Sequence, residues 1–171
     1  MANNGKYLAL TAGTITEENA INTSAGAGDA GKIPKLDSAG TLPISMLPTG
    51  TGPDVITVTA SEALAAGDYV NLWNSTGLKV RKADATAVGK DAHGFVLAAV
   101  LSSASATVYF PSQNNTSTSG RTVGAKQFLS TTPGISQETA PAATGNIVQA
   151  IGVAYAATGV IFQPLSAITV A

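Results

Sequence analysis

The stretch YVNLWNSTGLKVRK, residues 69–82, decides the fold of this chain. Residues 69–73 carry the aromatic and aliphatic side chains that are common in strands. Residues 74–77 read Asn-Ser-Thr-Gly, which is typical of a turn, and residues 78–82 form a second short strand. The stretch therefore predicts a β-hairpin.

Similar short apolar stretches, separated by turn residues, lie on both sides of this hairpin. The predicted strands cover residues 55–59, 94–101, 106–110, 126–130, 146–155, 159–163 and 167–170, with Gly152 as a possible bulge. No segment keeps a helical period over three turns. Roughly eight strands at spacings of about ten residues predict an all-β fold, either a compact β-sandwich or a small β-barrel, over residues 53–171.

Residues 1–52 have a different composition and predict an extended arm rich in Gly and Pro. Residues 6–10 fit a short strand, and Thr14 followed by Glu17 and Glu18 resembles a helix start that ends near Ile21. The segment GKIPKLDSAGTLPISMLPTGTG, residues 31–52, follows. Its Gly and Pro residues weaken regular structure, yet apolar residues recur, which a flexible linker would not contain. We expect the arm to bury these apolar side chains against another surface: Ile33, Leu36, Leu42, Ile44, Met46 and Leu47.

The composition argues against several classes of function. Only 11% of the residues are charged, and the net charge is -1, so a nucleic acid partner is not expected. The chain has no Cys, which excludes disulfides, Cys-zinc sites and thiol nucleophiles. No signal peptide or membrane-length apolar run is evident, so we expect synthesis in the cytoplasm and no membrane partner. A surface so poor in charge suits a chain that is assembled with copies or partners.

Two motifs resemble catalytic or binding elements. Residues 26–33 fit the phosphate-loop spacing G-x-x-x-x-G-K, but Ile33 stands where Ser or Thr would hold the metal ion, and Pro34 follows. His93 is the single His, and no Ser lies in a G-x-S-x-G motif. We interpret the first as a glycine-rich arm and the second as a strand-start His that forms local hydrogen bonds. The sequence predicts no catalytic residue, no metal and no cofactor.

Paired acids remain an alternative that the sequence leaves open. A sequence-distant pair for glycoside hydrolysis has no recognisable spacing. The aromatic residues Tyr69, Trp73, Tyr109 and Tyr155 could form a sugar platform, although strand aromatics more often lie in a core or interface. The candidate acids are Glu17, Glu18, Asp54, Glu62, Asp68, Asp84, Asp91 and Glu138.

The sequence of residues 31–48, GKIPKLDSAGTLPISMLP, resembles a segment of tailed-bacteriophage tail-fibre and head-fibre proteins. Four later stretches, AGDYVN (66–71), VRKADA (80–85), AHGFVLAAV (92–100) and ATVYF (106–110), resemble a domain of capsid decoration or head-fibre proteins. The resemblance implies a non-enzymatic virion protein, a homotrimer that binds the major capsid protein on the outside of the phage head. The six apolar residues of the arm named above would then contact the capsid or a neighbouring protomer. The resemblance also implies that each trimer staples several capsid subunits at a three-fold site.

Two other functions fit the same residues. A short tail fibre or receptor-binding protein would contact a cell surface through the polar loop at residues 112–120. A polysaccharide-cleaving enzyme would use two of the acids named above.

Overall fold

Strands that a tight turn joins pair antiparallel in this chain, as short hairpin strands must. The computed structural model describes residues 5–43, 46–47, 52–111 and 113–171. The chain divides into two units, the arm (Met1–Gly52) and the β-domain (Pro53–Ala171). The described residues contain no α-helix, and the prediction of an all-β fold with a small barrel is confirmed.

The described part of the arm contains one hairpin and one single-turn 3-10 helix. Its strands are β1 (Lys6–Thr11) and β2 (Thr14–Asn19), and the 3-10 turn covers Ala27–Asp29. The predicted helix start at Thr14 is therefore wrong. The chain reverses at Ala12 and Gly13, and residue 14 pairs with residue 11 across the turn. Local turn geometry has overridden the capping pattern that the acids suggested.

The β-domain contains twelve strands in the described residues. They are β3 (Val55–Ala60), β4 (Tyr69–Asn74), β5 (Leu78–Lys82), β6 (Gly94–Phe95), β7 (Ser105–Tyr109), β8 (Asn114–Asn115), β9 (Lys126–Leu129), β10 (Ser136–Gln137), β11 (Ile147–Val148), β12 (Ala150–Ala156), β13 (Gly159–Phe162) and β14 (Ile168–Thr169). The predicted hairpin at residues 69–82 is confirmed as β4 and β5.

Two predicted strands are shorter than the sequence suggested. The stretch 94–101 leaves its strand after Phe95, because Val96 and Val100 hydrogen-bond with the turn at residues 64–68 instead of with a strand. The stretch 146–155 is interrupted at Gln149, whose side chain bonds both backbone groups of Ala92, at 2.7 and 3.0 Å. In both places a loop or side chain replaces strand pairing. The bulge predicted at Gly152 is confirmed by a register shift.

Five strands of the β-domain form a closed barrel, and five others form an open sheet. The closed barrel has the order β3-β5-β4-β6-β7, and β3 pairs with β5 in parallel to close it. The open sheet has the order β10-β9-β12-β13-β8. We match β3, β4, β5, β6 and β7 with β8, β9, β10, β12 and β13. Read around the closed barrel from β5, the order is β5-β4-β6-β7-β3, which is the order of the matched strands in the open sheet. The pairing that closes the barrel has no counterpart between β8 and β10.

The residue register repeats along with the strand order. In each case a pair of the closed barrel has a counterpart at the matched position of the open sheet. The matched pairs are Val70–Gly94 and Gln127–Gly152, Tyr69–Phe95 and Lys126–Val153, Phe95–Tyr109 and Val153–Ile161, and Ile56–Val108 and Asn115–Val160.

The hydrogen bonds of one turn repeat as well. The Gly67 amide donates to Val96 at 2.8 Å, and the matched Gly124 amide donates to Ala154 at 2.8 Å. The return bonds match too, from Val96 to Asp68 and from Ala154 to Ala125, both 3.0 Å. Together with the register, these bonds show that the β-domain contains the same β-unit twice, once closed and once open.

Gly94 and Gly152 occupy matched positions in the two units, and each lies directly against backbone of a neighbouring strand. A Cβ on Gly94 would lie 2.6 Å from the Tyr109 carbonyl oxygen, and a Cβ on Gly152 would collide with the carbonyl oxygen of the matched Ile161. Both sites therefore exclude any side chain for the same steric reason, in addition to the positive φ of 148° at Gly152.

We predict that Gly94→Ala and Gly152→Ala each lower the free energy of unfolding by about 3 kcal/mol, since a methyl group must displace backbone. Gly120→Ala is the control, because Gly120 also has a positive φ but faces open space, and it should cost only about 1 kcal/mol. Urea unfolding followed by circular dichroism measures all three. Equal losses for Gly94→Ala and Gly120→Ala would contradict the steric explanation.

Candidate interaction surface and polar sites

The hairpin of the arm owes its geometry to a two-residue turn. Ala12 and Gly13 have φ angles of 51° and 82°. Positive φ at both central positions is the geometry of the turn whose twist matches that of the flanking strands. The turn fixes the register, in which Leu10 lies opposite Ile15 and Leu8 lies opposite Glu17.

One face of this hairpin is apolar and exposed. Side chains alternate between the two faces of a strand, so Leu8 and Leu10 share a face with their partners on β2. The side chains of Leu8, Leu10 and Ile15 are 72%, 73% and 69% exposed. Lys6 forms an ion pair with Glu17 at the far end of the same face. The face is thus apolar beside the turn and charged at the open end.

The arm forms no buried core in its described part. None of its described residues is buried, in contrast to the nineteen buried apolar residues of the β-domain. Just beyond the hairpin, Ile21 forms a parallel bridge with Pro34, in which the Ile21 amide donates to the Ile33 carbonyl at 3.0 Å and the Ile21 carbonyl accepts from the Lys35 amide at 2.8 Å. Backbone bonds therefore define the arm's conformation, while its apolar side chains stay in contact with water.

The six predicted contact residues of the arm have different environments. Ile33, Leu36, Leu42 and Leu47 are exposed, and Met46 is half-buried. Ile44 lies outside the described residues. Their contact with a capsid or protomer stays a prediction. The hairpin face with Leu8, Leu10 and Ile15 was missed, because an Ala-Gly turn is a weak signal in a sequence rich in both residues.

Asp37 organises the loop in the segment that resembles phage fibre proteins. Its Oδ1 accepts the amides of Ala39 and Thr41 at 2.9 and 3.0 Å, and its Oδ2 accepts the Thr41 hydroxyl at 2.8 Å. Gly40 has a φ of 76° and donates its amide to the Asp37 carbonyl at 3.1 Å. The motif Asp-x-x-Gly therefore forms a turn in which the carboxylate accepts hydrogen bonds from the backbone amides of the loop.

The phosphate-loop-like stretch forms a different structure from the one a nucleotide needs. Asp29 accepts the Ala25 amide at 2.7 Å and pairs with Lys32 at 3.0 Å, and these bonds lower the pKa of Asp29. A phosphate cradle would need a helix N-terminus here, and the single 3-10 turn does not supply one. Lys32 already has an acidic partner.

His93 takes part in a hydrogen-bond network on the outside of the closed barrel. Its Nδ1 accepts the Leu72 amide at 3.0 Å, and its Nε2 lies 3.2 Å from the Asp91 carboxylate. Asn71 connects this site to Arg81, whose guanidinium stacks on Trp73 at 4.6 Å. Both ring nitrogens have partners, so the interpretation of His93 as a local hydrogen-bonding residue is confirmed.

Two of the candidate acids are buried, and both are paired with lysines. Asp68 lies 3.4 Å from the Lys82 ammonium, and Asp84 lies 3.0 Å from that of Lys90. Burial pushes the pKa of Asp84 upward, but hydrogen bonds from Thr86 and Lys90 together hold it below the usual value. A general acid needs the opposite shift. The hypothesis of a polysaccharide-cleaving enzyme stays untested.

The described residues contain no group of three His, Cys, Asp or Glu placed to hold a metal ion. Within the same residues, no helix has the length and apolarity to cross a membrane. Comparison with family models, curated proteins and solved structures finds no significant match to this chain.

The Asp37 loop should open in acid. Hydrogen bonds, first of all from the Thr41 amide, lower the pKa of Asp37 below its usual value of 3.8, so the loop is stabilised above that value. Its bonds are lost as pH falls through the lowered pKa. Amide NMR shifts of Ala39 and Thr41 should titrate below pH 3.8. In the matched variant Asp37→Asn this step should vanish, and a step that persists would place the titrating group elsewhere.

Proposed function

We propose that this chain is a non-enzymatic bacteriophage structural protein, a homotrimer that decorates the outside of the phage head. The observation that carries the proposal is the arm, in which no described residue is buried while apolar side chains point into water. Apolar side chains that are exposed together in this way mark a surface that another protein covers. The resemblance of residues 31–48 to phage fibre proteins supports a virion partner.

The energetics set a condition on that partner. Burying one exposed Leu or Ile contributes roughly 1.5–3 kcal/mol, whereas ordering the backbone costs roughly 1–2 kcal/mol per residue. The hairpin and the Asp37 loop already order part of the arm before it binds. A partner that covers Leu8, Leu10 and Ile15 therefore gains apolar contact at a reduced entropic cost. The major capsid protein or a neighbouring protomer would supply such a surface.

The low charge of the chain supports assembly in many copies. Charged residues make up 11% of the sequence and the net charge is -1, so neighbouring copies repel one another weakly. A trimer that touches several capsid subunits adds weak contacts into a strong attachment. The mechanism would be stapling of adjacent subunits against the pressure inside the head.

The trimer is tested by mass measurement in solution. We expect one species of about three times 17.0 kDa, unchanged by a chelator, because the proposal needs neither metal nor nucleotide. Analytical ultracentrifugation at micromolar concentration gives the mass directly. A stable monomer of 17.0 kDa would exclude the proposed trimer.

The role of the arm is tested by truncation and by substitution. A chain that lacks residues 1–52 should keep a cooperative thermal transition of the β-domain but bind empty heads weakly or lose its trimer. The double variant Leu8→Ser, Ile15→Ser should weaken binding to heads by at least about tenfold. Leu101→Ser is the matched control, since Leu101 is 78% exposed but lies in the β-domain.

Full affinity of the truncated, still trimeric protein would contradict the role proposed for the arm. Labelled electron micrographs of virions separate the head from the tail. Label on the tail would favour a short tail fibre and exclude the head assignment.

A further inference from the structure

The outward-facing side of the open sheet carries apolar residues that are exposed to water. Val153 of β12 lies directly opposite Ile161 of β13, so their side chains share one face of the sheet. Their exposed fractions are 42% and 38%, and that of Tyr155, whose ring lies against Gly159, is 44%. Phe128 of β9 lies on the same face and is half-buried. We call Phe128, Val153, Tyr155 and Ile161 the outer patch.

The chain itself covers the equivalent face of the closed barrel. Four positions of the two faces are matched by register, or by counting on from the matched Val96 and Ala154. The matched pairs are Tyr69 and Lys126, Phe95 and Val153, Leu97 and Tyr155, and Tyr109 and Ile161. The four barrel residues belong to the buried cluster between the barrel and the open sheet or pack against it. Their four counterparts are exposed, so the second unit leaves uncovered the face that the first unit buries.

A groove on the closed barrel offers a surface that suits this patch. It has a volume of about 290 Å³, which far exceeds the roughly 10–15 Å³ that one water needs. Its walls are the outward side chains of β7, Ser105, Thr107 and Tyr109, and the apolar segment 97–100. The groove and the outer patch belong to different units of the β-domain. The patch of one copy can therefore meet the groove of another.

Each of these two surfaces also carries a charge without a partner. Lys126 lies directly opposite Val153 of the outer patch, and within the described residues its ammonium forms no hydrogen bond or ion pair. Asp54 precedes Val55, which lies opposite Tyr109 at one end of the groove. Its carboxylate is exposed, and it is the one Asp or Glu side chain of the described β-domain that has no hydrogen bond or ion pair.

These charges favour a second copy of the chain over a different protein. A cation beside the patch and an anion beside the groove attract each other when the two surfaces meet. Because the patch and the groove are different surfaces, the contact between copies is heterologous. Such a contact closes into a ring when the rotation from one copy to the next divides a full turn evenly. A trimer needs a rotation of one third of a turn.

We infer that the outer patch binds the groove of a neighbouring copy, with Lys126 beside Asp54 of that copy. The inference rests on the proposed homotrimer, and it names the contact that closes the trimer. Each protomer uses both surfaces once, so three patches and three grooves are covered together. The contact lies within the β-domain and does not use the apolar face of the arm.

Reversal of the two charges tests this contact on the full-length protein. Lys126→Glu and Asp54→Lys each place like charges together at all three contacts. Each variant should therefore raise the protein concentration at which the trimer is half-dissociated by about tenfold or more. The double variant Lys126→Glu, Asp54→Lys brings opposite charges together again and should return this concentration to within about threefold of its original value. Analytical ultracentrifugation over a dilution series measures all three variants. Both residues are exposed, so neither reversal disturbs the core.

Lys79→Glu is the matched control for charge reversal. Lys79 also has no side-chain hydrogen bond or ion pair among the described residues, but it lies on β5, outside both surfaces. Its reversal should change the half-dissociation concentration less than about twofold.

Thiol labelling gives a second measurement that needs no dissociation. The chain has no Cys, so Val153→Cys and Val88→Cys each carry one thiol. Both positions are exposed in the single chain, at 42% and 71%. In the trimer, Val153→Cys should react with a maleimide at least about ten times more slowly than Val88→Cys, because the neighbouring copy covers it.

The outcomes separate this contact from the trimer itself. If the protein is a trimer and both charge reversals leave its dissociation unchanged, the contact is wrong and the proposed trimer stands. Failure of the double variant to recover, an equal effect of Lys79→Glu, or equal labelling of the two thiols would each overturn the contact as well. A monomer at micromolar concentration would remove the proposed trimer, and the contact with it.

Discussion

The contact of three aromatic rings between the closed barrel and the open sheet organises the β-domain. The ring of Phe162 in the open sheet lies 5.7 Å from that of Tyr69 and 5.4 Å from that of Phe95, both in the barrel. All three side chains are fully buried. They belong to the cluster that also contains Leu129 and Ile151 of the open sheet. An open sheet cannot shield its own interior, so the outer side chains of the barrel complete its core.

This arrangement explains why one β-unit appears in two forms. The barrel has its own apolar cluster, which includes Val58, Val70, Val80 and Val108. The open unit uses Tyr69 and Phe95 in place of its own closing strand pair. Its interior next to the rings is apolar, and its interior toward the unpaired edges β8 and β10 contains Asn115, Gln127 and Ser136. The second unit can therefore carry polar groups that would destabilise a self-sufficient barrel.

Much of the strand content could be predicted from the sequence, and the repeat could not. The hairpin at residues 69–82 combines strand-forming side chains with a four-residue turn, and such local signals survive folding. The repeat is visible only in the strand pairing. Matched residues such as Val70 and Gln127 occupy equivalent positions, but one side chain is apolar and the other polar. Strand length at residues 94–101 was misjudged, since apolar residues there bond with a turn.

The candidate surface of the arm was predictable in part. Ile33, Leu36, Leu42 and Leu47 were picked out by apolar character among Gly and Pro, and their exposure agrees with an external role that stays a prediction. The cleft that Tyr69, Thr118 and Arg121 help to line was not predictable, because residue 69 is far in sequence from residues 118 and 121 and only the fold brings them together.

The missing pairing between β8 and β10 also determines where this domain opens first under thermal motion. Local opening begins where few bonds must break. The closed barrel is joined by backbone pairing of Thr59 and Ala60 with β5. In the open sheet, β8 has only two residues and does not pair with β10, and the Arg121 guanidinium donates to the Ser136 carbonyl of β10 at 2.7 Å. Amide hydrogens along β8 and β10 should thus exchange with solvent before those of β4 and β5. The closed barrel is therefore the more rigid half of the domain, and the open sheet is the half that opens locally. The hydrogen bond from Arg121 to Ser136 restrains that opening.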